Sequence, residues 1–193
     1  SNHQQLIISS FEKVLYSVAK GGYQNFDAIE KTFLETEELI KQAIDEHDKA
    51  PLLYYGCYSI LFIIDYMRIS LSPDKYKYKL KDLNEHIVNI PRDYNKTIYA
   101  FKGLHNMLLG MFNHENKENQ NKFYSLAINN FNIYDNLDYY DFDEQDLVTV
   151  LDAIIEESKL SLDLEKGGDQ EDILKNYKEL YLKTIEDELN FSN

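Results

Sequence analysis

The chain predicts an all-α fold, a right-handed α-solenoid-like stack of antiparallel helix pairs with about eight helices, on three observations. One unit recurs three times: a helix of heptad-like apolar spacing, a short break, then a second helix richer in apolar residues. The second helices open at Lys49, Arg92 and Asp143, about 45 residues apart, a period typical of helical solenoids. Seven Gly and three Pro among 193 residues are too few for the frequent special turns of an all-β chain. Hydrophobic residues at 44% beside 28% charged lie in the globular range, so a single helical-repeat-like domain over 1–193 is expected.

The elements follow in order. Ile7, Phe11, Val14 and Val18 form the first apolar stripe, which stops at Gly21-Gly22, where left-handed backbone is easily adopted. Ile29, Phe33, Ile40 and Ile44 form the second, with Asn25 or Asp27 as its N-cap. Pro51 suits the first turn of a third helix, and Leu52 to Leu71 is the most hydrophobic stretch of the chain. Its uninterrupted apolar run ends at Asp65, short of the ~20 residues a bilayer needs, and Arg68 follows at i,i+3 to pair with that carboxylate. A helix buried on most sides is therefore expected, not a membrane span.

Ser72-Pro73-Asp74 restarts the chain, and Tyr76, Leu80, Leu83, Ile87 and Ile90 follow in steps of four and three until Pro91. The next helix carries two stripes, Tyr94, Ile98, Phe101, Leu108 and Phe112 on one and Ala100, Leu104, Met107 and Met111 on the other, so it too belongs between neighbours. Asn113 to Asn121 has no apolar residue and reads as an exposed loop. Phe123, Ala127, Phe131 and Tyr134 begin the third unit, and Leu147, Val150, Leu151, Ile154, Ile155 and Leu162 form its partner helix. After Gly167-Gly168, Asp169 caps a last helix with the stripe Ile173, Leu174, Tyr177, Leu180, Tyr181 and Ile185.

Charge narrows the partners. Lys and Arg total 20 against 34 Asp and Glu, a net charge of -14. That field has the wrong sign for nucleic acid or an anionic membrane surface and the right one for a basic protein. A lone cysteine, Cys57, forms no internal disulfide, which suits the cytoplasm while leaving secretion or a periplasmic location open. The chain begins Ser-Asn without Met, as after tag cleavage, so a signal segment or an upstream domain could have preceded it.

Tests for chemistry find no catalytic signature, cofactor motif or metal site. None of the five histidines lies three after a Glu, and His-Glu-x-x-His is absent. His105 continues an apolar stripe, which favours a core or half-buried histidine. Cys57 sits in an apolar helix where a thiol is unreactive, and both glycine pairs lack the lysine and hydroxyl of a phosphate loop. Asp135 to Asp146 packs six carboxylates into twelve positions but lacks the sharp-turn glycine of a calcium loop. Asp141 or Asp143 is expected to cap the following helix, and Tyr139, Tyr140, Asp141, Asp143 and Glu144 together form a candidate docking site for a basic partner. The sixteen tyrosines, with Tyr54, Tyr55, Tyr58 and Tyr66 ringing one helix, are expected mainly in the core and on its rim, or lining a concave groove.

Two segments resemble the tetratricopeptide-type helical repeat. Leu52 to Ser59 places Tyr55 and Gly56 in the large-residue and glycine positions of that repeat's first helix, and Ala127 and Phe131 are similar to the small-then-aromatic pattern of its second. Ser59 stands where the pattern has an aromatic residue, and the spacing between units exceeds the usual 34 residues. The resemblance implies a protein- or peptide-binding scaffold and transfers no catalytic residue. The expected function is accordingly a non-enzymatic helical scaffold whose acidic surface binds a basic protein, in its specific form an immunity- or antitoxin-like inhibitor of a cationic toxin. The alternative is a small-molecule-sensing regulator domain with an apolar pocket lined by Tyr and Met.

Overall fold

The computed structural model describes residues 2–21, 26–46 and 50–164. Among them every regular element is helical: α1 (Asn2–Gly21), α2 (Phe26–Glu46), α3 (Pro51–Leu71), the short α4 (Pro73–Tyr76), α5 (Leu80–Asn89), α6 (Asn95–Met111), α7 (Lys117–Asn136) and α8 (Phe142–Leu164). The expected helix over 173–185 and its cap Asp169 lie outside the described residues, as does Asn25. The chain divides between Pro91 and Arg92 into two compact units.

In the first unit α1 packs on α2, α2 on α3, and α3 on α4 and α5. Ile7, Val14 and Val18 of α1 and Ile29, Phe33 and Ile40 of α2 are buried as their spacing requires. Thr36 joins them, its hydroxyl donating to Thr32 O at 2.9 Å and lying 2.6 Å from Ser10 Oγ, so a polar side chain occupies the seam with its hydrogen-bonding capacity met. The most apolar window of α3 is long enough to cross a bilayer and is 72% buried inside the protein. Asp65 and Arg68 are buried within it. Of its tyrosines, Tyr55 and Tyr66 are core residues, while Tyr54 and Tyr58 are half-buried and meet edge to face at 5.4 Å.

The helix expected over Tyr76 to Ile90 is interrupted. After α4 the chain tightens into a 3₁₀ turn, Lys77–Lys79, before α5 begins at Leu80. The turn brings Lys79 towards the half-buried Glu37 of α2 and the buried Asp65 of α3, an attraction that the apolar spacing of 76 to 90 does not register.

In the second unit α6 packs against α7 and α8, and α7 against α8. Both apolar stripes of α6 are covered, with Phe112 half-buried at its end. Its glycines allow the closest approach: a Cβ on Gly103 would clash with the Phe131 ring, and one on Gly110 with the Tyr124 ring. Each pair is seven residues apart on its own helix, two turns, so the two contacts stack along one seam.

The segment expected as a loop over Asn113 to Asn121 is a loop only in its first half. Asn116 caps α7, accepting from Asn119 N–H at 3.1 Å, and six helical residues, 117–122, precede the first apolar side chain, Phe123. Gln120, buried despite its polarity, donates to Gly110 O at 3.1 Å. On α8, Val148 takes the fully buried position beside Leu151, Ile154 and Ile155, while Leu147 and Val150 are half-buried.

Candidate functional site

The turn between α7 and α8 is built from the inside outward. An α-helix ends with carbonyls that have no intrahelical partner. At the end of α7 Lys96 supplies one, donating from Nζ to Tyr134 O and Leu137 O, both at 2.8 Å. Its ammonium lies 4.3 Å from the centre of the Tyr134 ring and 5.3 Å from that of Tyr139, close enough for each π-face to compensate part of its lost hydration.

At the start of α8 the problem is inverted, with amides lacking acceptors. Asp141 Oδ1 accepts from Glu144 N–H at 2.9 Å, and its Oδ2 accepts from Tyr94 O–H at 2.8 Å. Glu144 reaches back to Tyr140 N–H at 2.8 Å with one oxygen. With the other it accepts from Thr97 N–H at 3.2 Å and Thr97 O–H at 3.0 Å. Thr97 is the third residue of α6, so one carboxylate closes the first turns of two helices and brings negative charge to both positive ends. Burial and the bond to Asp141 push the Tyr94 hydroxyl to a higher pKa. Tyr134, hydrogen-bonded to Asp152, moves in the same direction for the same two reasons.

What remains outside is a fixed strap, residues 138–143. Tyr139 is 41% exposed, Tyr140 56% and Phe142 84%, and the carboxylates of Asp138 and Asp143 are exposed beside them. Tyr94 meets the Tyr140 ring edge to face at 5.1 Å and 77°, which sets that ring without covering it.

The five residues expected to form a partner site therefore separate. Tyr139, Tyr140 and Asp143 face solvent. Asp141 is half-buried with both oxygens engaged, and Glu144 is fully buried, because three donors at two helix starts need its carboxylate. Glu144 is thus corrected from a contact residue to the support of the strap. The run of acids and tyrosines does not by itself single out Phe142, although the helical spacing carries its signal. Positions 144, 148, 151 and 155 form the buried stripe of α8, and at about 100° per residue Phe142 falls on the opposite side from Glu144.

The first unit holds a second polar constellation, of which the sequence indicated only the Asp65–Arg68 pair. Arg68 Nη1 donates to Asp65 Oδ1 at 2.9 Å and Nη2 to Glu37 Oε2 at 3.2 Å. Lys79 Nζ lies 3.3 Å from Asp65, 3.6 Å from Asp82 and 3.9 Å from Glu37, and His86 Nε2 is 2.7 Å from Asp65 Oδ2. Burial alone would raise the Asp65 carboxyl, but the His86 hydrogen bond and the charges of Lys79 and Arg68 outweigh it and hold the group below its ordinary value. Three carboxylates facing Arg68, Lys79 and His86 join α2, α3, the 3₁₀ turn and α5. Within this cluster, Arg68 Nε is the one buried side-chain nitrogen or oxygen without a hydrogen bond among the described residues. The cluster satisfies itself and offers no nucleophile.

Elsewhere, an open groove of about 920 Å³ runs between α1 and α2, lined by Leu6, Ser10, Lys13, Leu34, Glu38 and Lys41 among others. The methionines Met67, Met107 and Met111 are packed in the core, and His105 is half-buried on α6. Burial raises the Cys57 thiol to a pKa of about 11. Comparison of the chain with protein-family models, curated proteins and solved structures finds no match.

Proposed function

We propose that this chain is a non-enzymatic, protein-binding helical scaffold whose acidic surface receives a basic protein, in its most specific form an immunity- or antitoxin-like protein that neutralises a cationic toxin. The observation that carries the reading is the strap 138–143, which holds Tyr139, Tyr140 and Phe142 in solvent among exposed carboxylates. Exposed aromatic side chains supply the apolar area of an interface anchor. The excess of acidic residues, a net charge of -14, draws a cationic partner from a distance and disfavours acidic ones. Because Lys96, Asp141 and Glu144 already fix the strap, little ordering entropy would be lost on binding.

A small-molecule-sensing domain has less support. The methionines it would use are core residues, and the groove between α1 and α2 is open and rimmed by charged side chains.

The test is capture from lysate on the immobilised chain across a salt series, in parallel with the Tyr140→Ala/Phe142→Ala variant. A partner retained at low salt, released as salt rises and lost with the variant supports the reading. No partner at low salt, or equal retention by both proteins, argues against it.

A further inference from the structure

We propose that the strap 138–143 recognises arginine rather than lysine side chains of its partner; this rests on the protein-binding reading above and specifies its chemistry. Asp138 and Asp143 are exposed and have neither an ion pair nor a hydrogen bond among the described residues. They flank the two most exposed rings of the strap, Tyr140 and Phe142. Planar π-faces beside unengaged carboxylates suit a guanidinium. It lies flat on an aromatic ring, donates two parallel hydrogen bonds to a carboxylate, and sheds water more readily than an ammonium does.

The positive end of α8 does not oppose this. Asp141, Asp143 and Glu144 place three carboxylates in its first turn and at its cap, against a helix-end charge of about +0.5, so the local field stays negative. The protein's own nearby cation does not occupy the site either. Lys96 touches the Tyr139 ring but is held at the carbonyls of Tyr134 and Leu137. The hydrogen bonds at both ends of the strap fix the backbone from which these rings and carboxylates project before a partner arrives.

The experiment measures, by fluorescence anisotropy at low ionic strength, the binding of two labelled peptides that alternate leucine with either arginine or lysine. The proteins are the full chain, Phe142→Ala and Asp138→Asn/Asp143→Asn. Phe142 packs against little, so its variant keeps the wild-type melting curve, and circular dichroism checks this. The arginine peptide is expected to bind about fivefold more tightly than the lysine peptide. Phe142→Ala is expected to lower its affinity about tenfold, and the double Asn variant to remove most of the preference. Equal affinity for both peptides, untouched by Phe142→Ala, overturns the arginine assignment while leaving a basic partner intact, since charge alone then does the attracting. Binding of neither peptide overturns the assignment and counts against the basic-partner reading as well.

Discussion

Glu144 and Thr97 are joined by two hydrogen bonds, from the Thr97 amide at 3.2 Å and from its hydroxyl at 3.0 Å, to one carboxylate oxygen. The first turn of α6 is thereby fastened to the first turn of α8, and the strap between α7 and α8 inherits its shape from that joint. Replacing Glu144 with Ala removes the acceptor of three hydrogen bonds, two from Thr97 and one from the Tyr140 amide. The expected cost is about 2–4 kcal/mol in urea unfolding. Asp143→Ala, one residue away in solvent, is expected to change stability by no more than about 0.5 kcal/mol.

The glycines of the helices separate by environment. Gly103→Ala forces a methyl into the Phe131 ring and is expected to destabilise by about 1–3 kcal/mol. Pairing it with Phe131→Leu should recover part of that loss, a coupling that a double-mutant cycle would reveal. Gly56→Ala meets nothing within 4 Å and is expected to stabilise by up to about 1 kcal/mol through helix propensity. Equal effects at the two positions would contradict the close approach of α6 and α7.

Acid should weaken the first unit through Asp65. Its pKa is lowered in the folded protein, so the folded state holds fewer protons there than the unfolded chain. The stability this contributes is complete above the unfolded carboxyl pKa of about 3.9 and is lost as pH falls through the folded value. Urea unfolding between about pH 6 and 2 is expected to show a decline that is shallower in Asp65→Asn, which has lost the titrating group. At neutral pH that variant should be destabilised by about 3–5 kcal/mol, because Arg68 then stays buried with one partner fewer.

Cys57 should be inert while the chain is folded. The thiol is buried and its pKa is pushed up to about 11, so almost no thiolate exists near neutrality. A chromogenic disulfide reagent is expected to label it at least about a hundredfold faster in denaturant than in buffer. Rapid labelling of the native chain would mean that α3 opens at Cys57.

The helices were legible wherever an apolar stripe repeated over several turns, as in α1, α2 and both faces of α6, because helical geometry puts such residues on one side and water drives that side inward. Pro51 marked the start of α3, and Asp65 with Arg68 announced their pairing, since both signals act within one or two turns. The long-range polar contacts were not legible. Spacing does not tell that Lys79 will turn towards Glu37 and Asp65, that Gln120 will find Gly110 O, or that Glu144 will be the most deeply buried acid of a run of six. Each depends on which helix lies opposite, and a carboxylate in sequence reads the same whether it faces a partner protein or the amides of another helix. So the chain's own composition and spacing determined an all-helical, strongly acidic protein with an aromatic-acidic turn before the second helix of its third unit. Tertiary structure alone decided which of those acids hold the turn together and which, with Phe142, are left facing water, because unpaired amides at buried helix ends claim the nearest carboxylate they can reach.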